Sequence, residues 1–576
     1  MRLKAWMSPL PLLVLAACGK SSGPAEADEG ARLTGRLDLL QPGRCQIVEG
    51  ELALGRDVWL TRWYGRESEP DAPDLLGEDR PGLLATTPSR ILIHLAAASG
   101  PRALRSAVRR ERPGSDPLLR AEIFWQSPGE DPRSLAAVEL PPEDDRWHAI
   151  AADLPVEAGD LWLIARHAHP GLAAQAGARV SWGSPVVAPS LPPDLPDIIL
   201  LTVDTLRADA IAHMPYARQL FASGEWAGSA LAPSNWTLPS FASLWTGLES
   251  ELHGAGRGAF SALPAPGPES RAFTALGPAR TFPEALHDAG WATACVHQNP
   301  FLEPWTGLAR GFDSWIRTRD EIQSNRAPAE AWWQANAHRP RLLVLHWMTP
   351  HLPYGEENAS DPLHGRDWRQ FLSGDHTAEE RRAFFDCSED QRAEMRRRYY
   401  AQAEALDREL ADWLPRVLAG ARHPILLFYS DHGEELWDAG SFEHGHSFDD
   451  SVVRVPAAIS GVDIVSARVI GDPAPAGHLG LHLLHLLGQS DKKIAAALRH
   501  TGRGLPDCGF APDCPAASGM ARSSNPLYRA EQGGLLLHAD GTRTLLPFQG
   551  AGSGGVAPVL DPETLRRLAE LGYAGR

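Results

Sequence analysis

The apolar run Ile425-Leu426-Leu427-Phe428 leads directly into Tyr429-Ser430-Asp431-His432-Gly433-Glu434-Glu435, and this junction constrains the fold more than any other stretch. A strand with no polar alternation is buried on both faces, the habit of a parallel strand covered by helices on either side. Its carboxyl end then delivers a carboxylate and an imidazole to the sheet edge where ligand chemistry sits in open α/β folds. Asp with His, and a further Glu443-His444-Gly445-His446 close by, is a metal-site composition.

The same pattern recurs along the chain. From Asp197 onward, strands alternate with helical stretches. The run 197–203 reads as the first buried strand, 282–289 as a helix, 291–296 and 342–345 as strands, and 378–418 as mostly helical. Asp204 follows the first strand, His346 ends the strand at 342–345, and His351 lies just beyond it in Thr349-Pro350-His351-Leu352-Pro353-Tyr354. Parallel packing brings all these strand ends to one edge. A single strand-end carboxylate often only caps the next helix, but three strand ends carrying Asp, His and Asp-His make a shared site. The segment Ser234-Asn235-Trp236-Thr237-Leu238-Pro239 adds a hydroxyl, with Pro239 near the start of a helix, where proline is tolerated. Taken alone, Thr237 reads as a helix cap. Beside a cation held by Asp204, Asp431 and His432 it could instead become a nucleophile.

Residues 33–187 have a different texture. Short alternating runs such as Ile91-Leu92-Ile93, Ile123-Phe124-Trp125 and Leu161-Trp162-Leu163-Ile164 are separated by Pro, Gly and Asp clusters, which predicts an all-β, sandwich-like domain. A Pro-rich linker at 188–196 separates it from the α/β domain at 197–500, and 501–576 reads as a C-terminal subdomain with an Asp540-Gly541 hairpin and a last helix. The fold class is therefore α/β, a mixed and largely parallel sheet sandwiched by helices, preceded by the all-β domain. A net charge of −17 and no basic stripe argue against nucleic acid as a partner. Of the six cysteines, Cys508 and Cys514 are spaced to staple a loop, and Cys295 sits in an apolar run as a buried thiol. No Cys-x-x-Cys occurs, which argues against a thiolate zinc site.

Two resemblances sharpen this reading. Arg2 and Lys4 precede an apolar run, Leu10 to Ala17, and Leu15-Ala16-Ala17-Cys18 resembles a bacterial lipobox. It implies a signal peptide at 1–17, a lipidated Cys18 on a polar tether at 18–32, and a place on the cell envelope, with Gly19 favouring the outer membrane. From Asp197 to the end the chain resembles the sulfatase branch of the alkaline phosphatase superfamily. The matching segments are Asp204-Thr205-Leu206-Arg207-Ala208-Asp209, the stretch Thr237 to Gly247, Asn299-Pro300-Phe301-Leu302 with Gly311-Phe312-Asp313, Pro350-His351-Leu352-Pro353-Tyr354, Asp431-His432-Gly433-Glu434, and His444-Gly445.

That resemblance implies Asp204, Asp431 and His432 as ligands of a divalent metal ion, with Thr237 as nucleophile and further ligand. His351 would bind a non-bridging oxygen or protonate the leaving group, and His444 would contact the anion or a second cation. His446, His346 and Glu434 read as packing around that centre. Two departures matter. Sulfatases generate an aldehyde from Cys or Ser, which Thr237 cannot yield, and Phe241 stands where they carry Arg. Both lean toward a phosphate ester or diester over a sulfate ester. Imidazole among the ligands favours zinc or manganese, with calcium possible. The implied substrate is an anionic ester of a glycan or a lipid head group. The alternatives are a phosphoethanolamine- or phosphoglycerol-type transferase and a non-catalytic binding lipoprotein, to which Phe241 and Asp438-Ala439-Gly440 lend support.

Overall fold

The computed structural model describes residues 37–40, 44–53, 59–63, 75–111, 118–168, 178–189, 195–248, 250–257, 273–355, 377–461, 468–469 and 475–490, with the short strands 520–521, 534–537 and 543–546. Cys18, the pair Cys508 and Cys514, and the last predicted helix lie outside the described residues. Among the described residues no helix is long and apolar enough to cross a membrane.

The N-terminal strands include β1 (Gln46–Glu49), β2 (Leu75–Thr86), β3 (Ser89–Leu95), β4 (Arg102–Arg110), β5 (Leu119–Gln126), β6 (Arg133–Leu140), β7 (His148–Leu154), β8 (Gly159–His167) and β9 (Arg179–Pro189). They form two antiparallel layers, β7-β4-β9-β2 and β1-β3-β8-β5-β6. Inward residues of both layers, among them Leu83, Ile91, Leu104, Trp125, Leu163 and Trp182, make one buried core. Strand β9 runs on to Pro189, into the stretch that composition alone marks as linker.

The larger sheet continues from there. Its strands are β10 (Ile198–Val203), β11 (Glu225–Leu231), β12 (Ala292–His297), β13 (Ser314–Thr318), β14 (Arg341–Trp347), β15 (Ile425–Ser430) and β16 (Arg454–Gly461), in the order β13-β12-β14-β10-β15-β16-β11. The run from β13 to β15 is parallel, and β16 is antiparallel to both its neighbours. This sheet has no free edge at β13, because the first half of β2 pairs with it antiparallel, Trp315 opposite Asp79. One strand thus belongs to both units. Arg317 on β13 pairs with Asp79 at 2.8 Å and with Glu303 at 3.0 Å, all three buried.

Period-two alternation assigns the faces. Ile198, Leu200, Leu342, Val344, Ile425 and Leu427 pack with Leu238, Phe241 and Trp245 of α1 (Thr237–Thr246) and with α2 (Phe282–Ala289) and α6 (Leu479–Ser490). Ile199, Leu201, Leu343, Leu345 and Phe428 pack on the other face, against α3 (Arg326–Ala335) and α5 (Glu389–Ala419). The predicted helical stretch at 378–418 is two helices, α4 (Ala378–Phe384) and α5. Ser388 caps the second through a reciprocal box with Gln391, which starts a new helix despite continuous periodicity. The strand parity puts His346 on the face that holds α1, and continuing it one residue past the paired strands puts Asp204 and Asp431 there as well.

Candidate active site and metal centre

The backbone after β10 is bent to aim Asp204. Thr205 takes φ 54°, a conformation a β-branched residue adopts only under constraint. Three contacts hold it. Its N–H donates to Asp431 Oδ1 at 3.3 Å, and its carbonyl accepts from the Tyr399 hydroxyl of α5 at 2.7 Å. The same hydroxyl accepts from the Arg207 N–H at 2.9 Å. Arg207 in turn donates to Asp209, to Asp438 and to the Glu434 carbonyl, so Asp209 neutralises this arginine.

Thr237 is the first residue of α1, after an extended Trp236, and no side chain caps the helix. The positive end of the helix therefore faces the site. Thr237 is 2% exposed, and its Oγ1 lies 3.4 Å from His432 Nε2. Asn299, just past β12, donates through Nδ2 to Asp204 Oδ2 at 2.6 Å and to Thr237 Oγ1 at 3.4 Å. Its own Oδ1 accepts from the Phe301 N–H at 2.7 Å. Sequence reasoning placed Asn299 in a matching segment but gave it no role. The available signal was its position after an apolar strand whose end reaches the same edge.

Asp204, Asp431 and His432 are fully buried and present one ligand atom each within 4.8 Å of one another. Asp431 Oδ1 is occupied by the N–H groups of Thr205 and His432. Asp431 Oδ2 and Asp204 Oδ1 have no hydrogen-bond partner. His432 Nε2 sits 3.4 Å from the first and 3.6 Å from the second. The His432 Nδ1 faces the Gly433 carbonyl at 3.0 Å, which places the ring proton there and leaves Nε2 bare. Two orphaned carboxylate oxygens and a bare imidazole nitrogen, all buried and converging, are a set of donors that could hold a divalent cation. Without one, burial and the neighbouring Asp431 charge hold Asp204 well above the usual carboxylate range, and burial pushes Asp431 up to about 7. Burial also pushes His432 down to about 4, keeping its ring neutral.

The other histidines surround this centre. The His444 ring lies tilted against His432 with centroids 4.3 Å apart, and the His351 ring meets His444 edge-on at 5.1 Å. His351 Nδ1 meets the Leu352 carbonyl at 2.6 Å, and His444 Nδ1 meets Glu434 Oε1 at 2.9 Å. Burial lowers His351 to about 4 and places His444 well below the ordinary range. His446 lies behind, against Glu435 Oε2 at 3.0 Å. His346 is fully buried, its Nε2 3.6 Å from Asp204 Oδ2, and burial lowers it to about 3. Thr237, Asp204, Asp431 and His432 therefore converge, with His444 and His351 extending outward as a row of rings. Phe241 packs behind the site against Trp245, Tyr429 and His346.

Residues 196–487, slightly more than half of the chain, match the sulfatase family. No curated protein matches the chain. Among solved structures, a protein of Bacteroides thetaiotaomicron described as a sulfatase is 14% identical, covering 50% of this chain and 70% of that one, with a TM-score of 0.40. A protein solved in complex with its substrate D-glucosamine-2-N,6-O-disulfate is 17% identical over 55% of this chain and 79% of that one, TM-score 0.35. The phosphonate monoester hydrolase of Agrobacterium radiobacter is 15% identical over 51% and 74%, TM-score 0.36. With the family match spanning both the sheet and every residue of the centre, the chain belongs to the sulfatase family, hydrolases that act on sulfuric or phosphoric esters.

Proposed function

We propose that the protein is a divalent-cation-dependent ester hydrolase with Thr237 as nucleophile, acting on a phosphate ester or diester of a glycan or lipid head group. The observation that carries this is the meeting of Thr237 Oγ1 with His432 Nε2, beside the unpartnered oxygens of Asp204 and Asp431. Those four side chains would hold zinc or manganese, with calcium a weaker fit to an imidazole ligand. A bound cation supplies Lewis acidity to the ester oxygen and lowers the pKa of a coordinated hydroxyl.

The chain supplies the rest. Thr237 Oγ1 bonds to the central phosphorus as the bond to the leaving oxygen breaks. With Nδ1 of His351 against Leu352 O and Nδ1 of His444 against Glu434 Oε1, the proton-exchanging atoms of the two rings are their Nε2 atoms. They suit uptake of the threonine proton and its return to the leaving oxygen. Water then attacks the Thr237 ester and releases the acid. The helix end and Asn299 steady the charge that develops on the non-bridging oxygens. Phosphate is favoured over sulfate because a threonine cannot become the aldehyde that sulfatases use. A lipidated Cys18 would hold this hydrolase on the cell envelope, in the outer membrane, facing the periplasm or the cell surface.

The test is turnover of nitrophenyl sulfate, phosphate and a bis-nitrophenyl phosphodiester by the chain loaded with zinc or manganese. Phosphoester cleavage should dominate, and Thr237→Ala should lower it by at least about 100-fold with cation binding retained. Full turnover by Thr237→Ala would sink the covalent mechanism, and dominant sulfate cleavage would sink the phosphate assignment.

A further inference from the structure

Strand β14 carries a buried imidazole at the end of an apolar run. On the face that packs against α1, Leu342 and Val344 precede it on the same strand, and Thr202 of β10 lies opposite it in the register. His346 is as buried as they are, with its ring 5.4 Å from Phe241. Neither of its ring nitrogens has a hydrogen-bond partner. A buried polar group in that condition destabilises the fold, and a leucine would fill the place without the penalty. Packing alone therefore does not account for a histidine here.

The geometry supplies a use. Nε2 lies 3.6 Å from Asp204 Oδ2, just beyond hydrogen-bond length. That oxygen is the one already held by Asn299 Nδ2 at 2.6 Å. The other oxygen, Oδ1, has no partner and is the one that faces His432. The Asp204 carboxylate thus has a tethered side and a free side. The backbone carbonyl of His346 is fixed by Asn325 Nδ2 at 2.8 Å, so the strand beneath the ring is held as well. A closing of about half an ångström would bring Nε2–H and Oδ2 into contact.

We propose that His346 is a positioning residue of the cation centre, steadying Asp204 Oδ2 together with Asn299 and so turning Oδ1 toward Asp431, His432 and Thr237. It rests on the cation-centre reading above. A carboxylate ligand held from behind by an imidazole binds its cation more tightly, and losing such an outer partner typically lowers affinity about 10- to 100-fold.

The experiment is chelator competition for manganese and zinc on the full chain, beside thermal melting of the metal-free protein. His346→Met should weaken cation binding about 10- to 100-fold while the metal-free melting temperature stays level or rises. His346→Gln, which keeps a donor of similar reach, should recover most of the affinity. Equal affinity in wild type, Met and Gln variants overturns the assignment. If the Met variant does not fold, His346→Asn replaces it: the shorter amide should bind the cation more weakly than Gln, and equality overturns the proposal. A wild-type chain that takes up no divalent cation removes the centre itself and this role with it, a result distinct from wild-type binding that His346 variants leave unchanged.

Discussion

Asp431 divides its two oxygens between fold and chemistry. Oδ1 receives two backbone N–H groups, and Oδ2 is left for a ligand. Because burial raises this carboxyl to about 7, the cation-free chain carries a proton there at lower pH, and a cation must displace it. Affinity should therefore fall as the pH drops through about 7, by up to about tenfold per pH unit for one proton displaced. Calorimetry with manganese from pH 6 to 8, in buffers of different ionisation enthalpy, reads both the affinity and the proton released. A flat profile would mean that Asp431 is not a ligand. Asp204, Asp431 and Thr237 are legible in the sequence because each directly follows an apolar strand or opens a helix. Asn299 was harder to see because Asn-Pro reads as a turn. His346 requires the strand parity, since an imidazole at a strand end could face either layer.

At the scale of elements, the bend at Thr205 is imposed from α5. One hydroxyl, that of Tyr399, satisfies both the Thr205 carbonyl and the Arg207 N–H. Tyr399→Phe would keep the ring's packing and strand two buried backbone groups, a loss of about 1–3 kcal/mol. The bend that aims Asp204 would lose its brace, so cation affinity should fall along with the melting temperature. A variant with normal affinity would show that the bend holds itself. Helix boundaries were legible where caps are strong: α2 starts at a Thr281–Glu284 capping box and stops at Gly290 in the left-handed conformation. The break between α4 and α5 was not, because charged and apolar residues keep helical spacing through it, and only the box at Ser388 marks the restart. The inward bend of Thr205 has no local signal at all; it depends on a tyrosine 194 positions away.

At the scale of the molecule, the N-terminal sandwich and the hydrolase sheet are joined by β2, and Arg317 closes the joint with Asp79 and Glu303. Asp79→Ala would leave a buried guanidinium short of a carboxylate, and removal of one partner from such a pair costs roughly 3–5 kcal/mol. Denaturant melts should show that loss, with both units unfolding together; two separate transitions would show that the joint is weak. The sequence predicted two units from texture but could not show the shared strand, since Leu75–Thr86 carries Gly, Pro and three charges and resembles a loop.

The same strand has a history during synthesis. Asp79 leaves the ribosome 238 residues ahead of Arg317, and at about 5–20 residues per second it waits roughly 12–48 seconds for its partner. An unpaired strand edge exposed that long invites pairing with another chain. Glu78, Asp79, Arg80 and Pro81 are the residues that discourage it, and on docking their charges are spent on Ser314, Arg317 and each other. The features that make β2 look least like a strand are those that blunt its edge until β13 covers it.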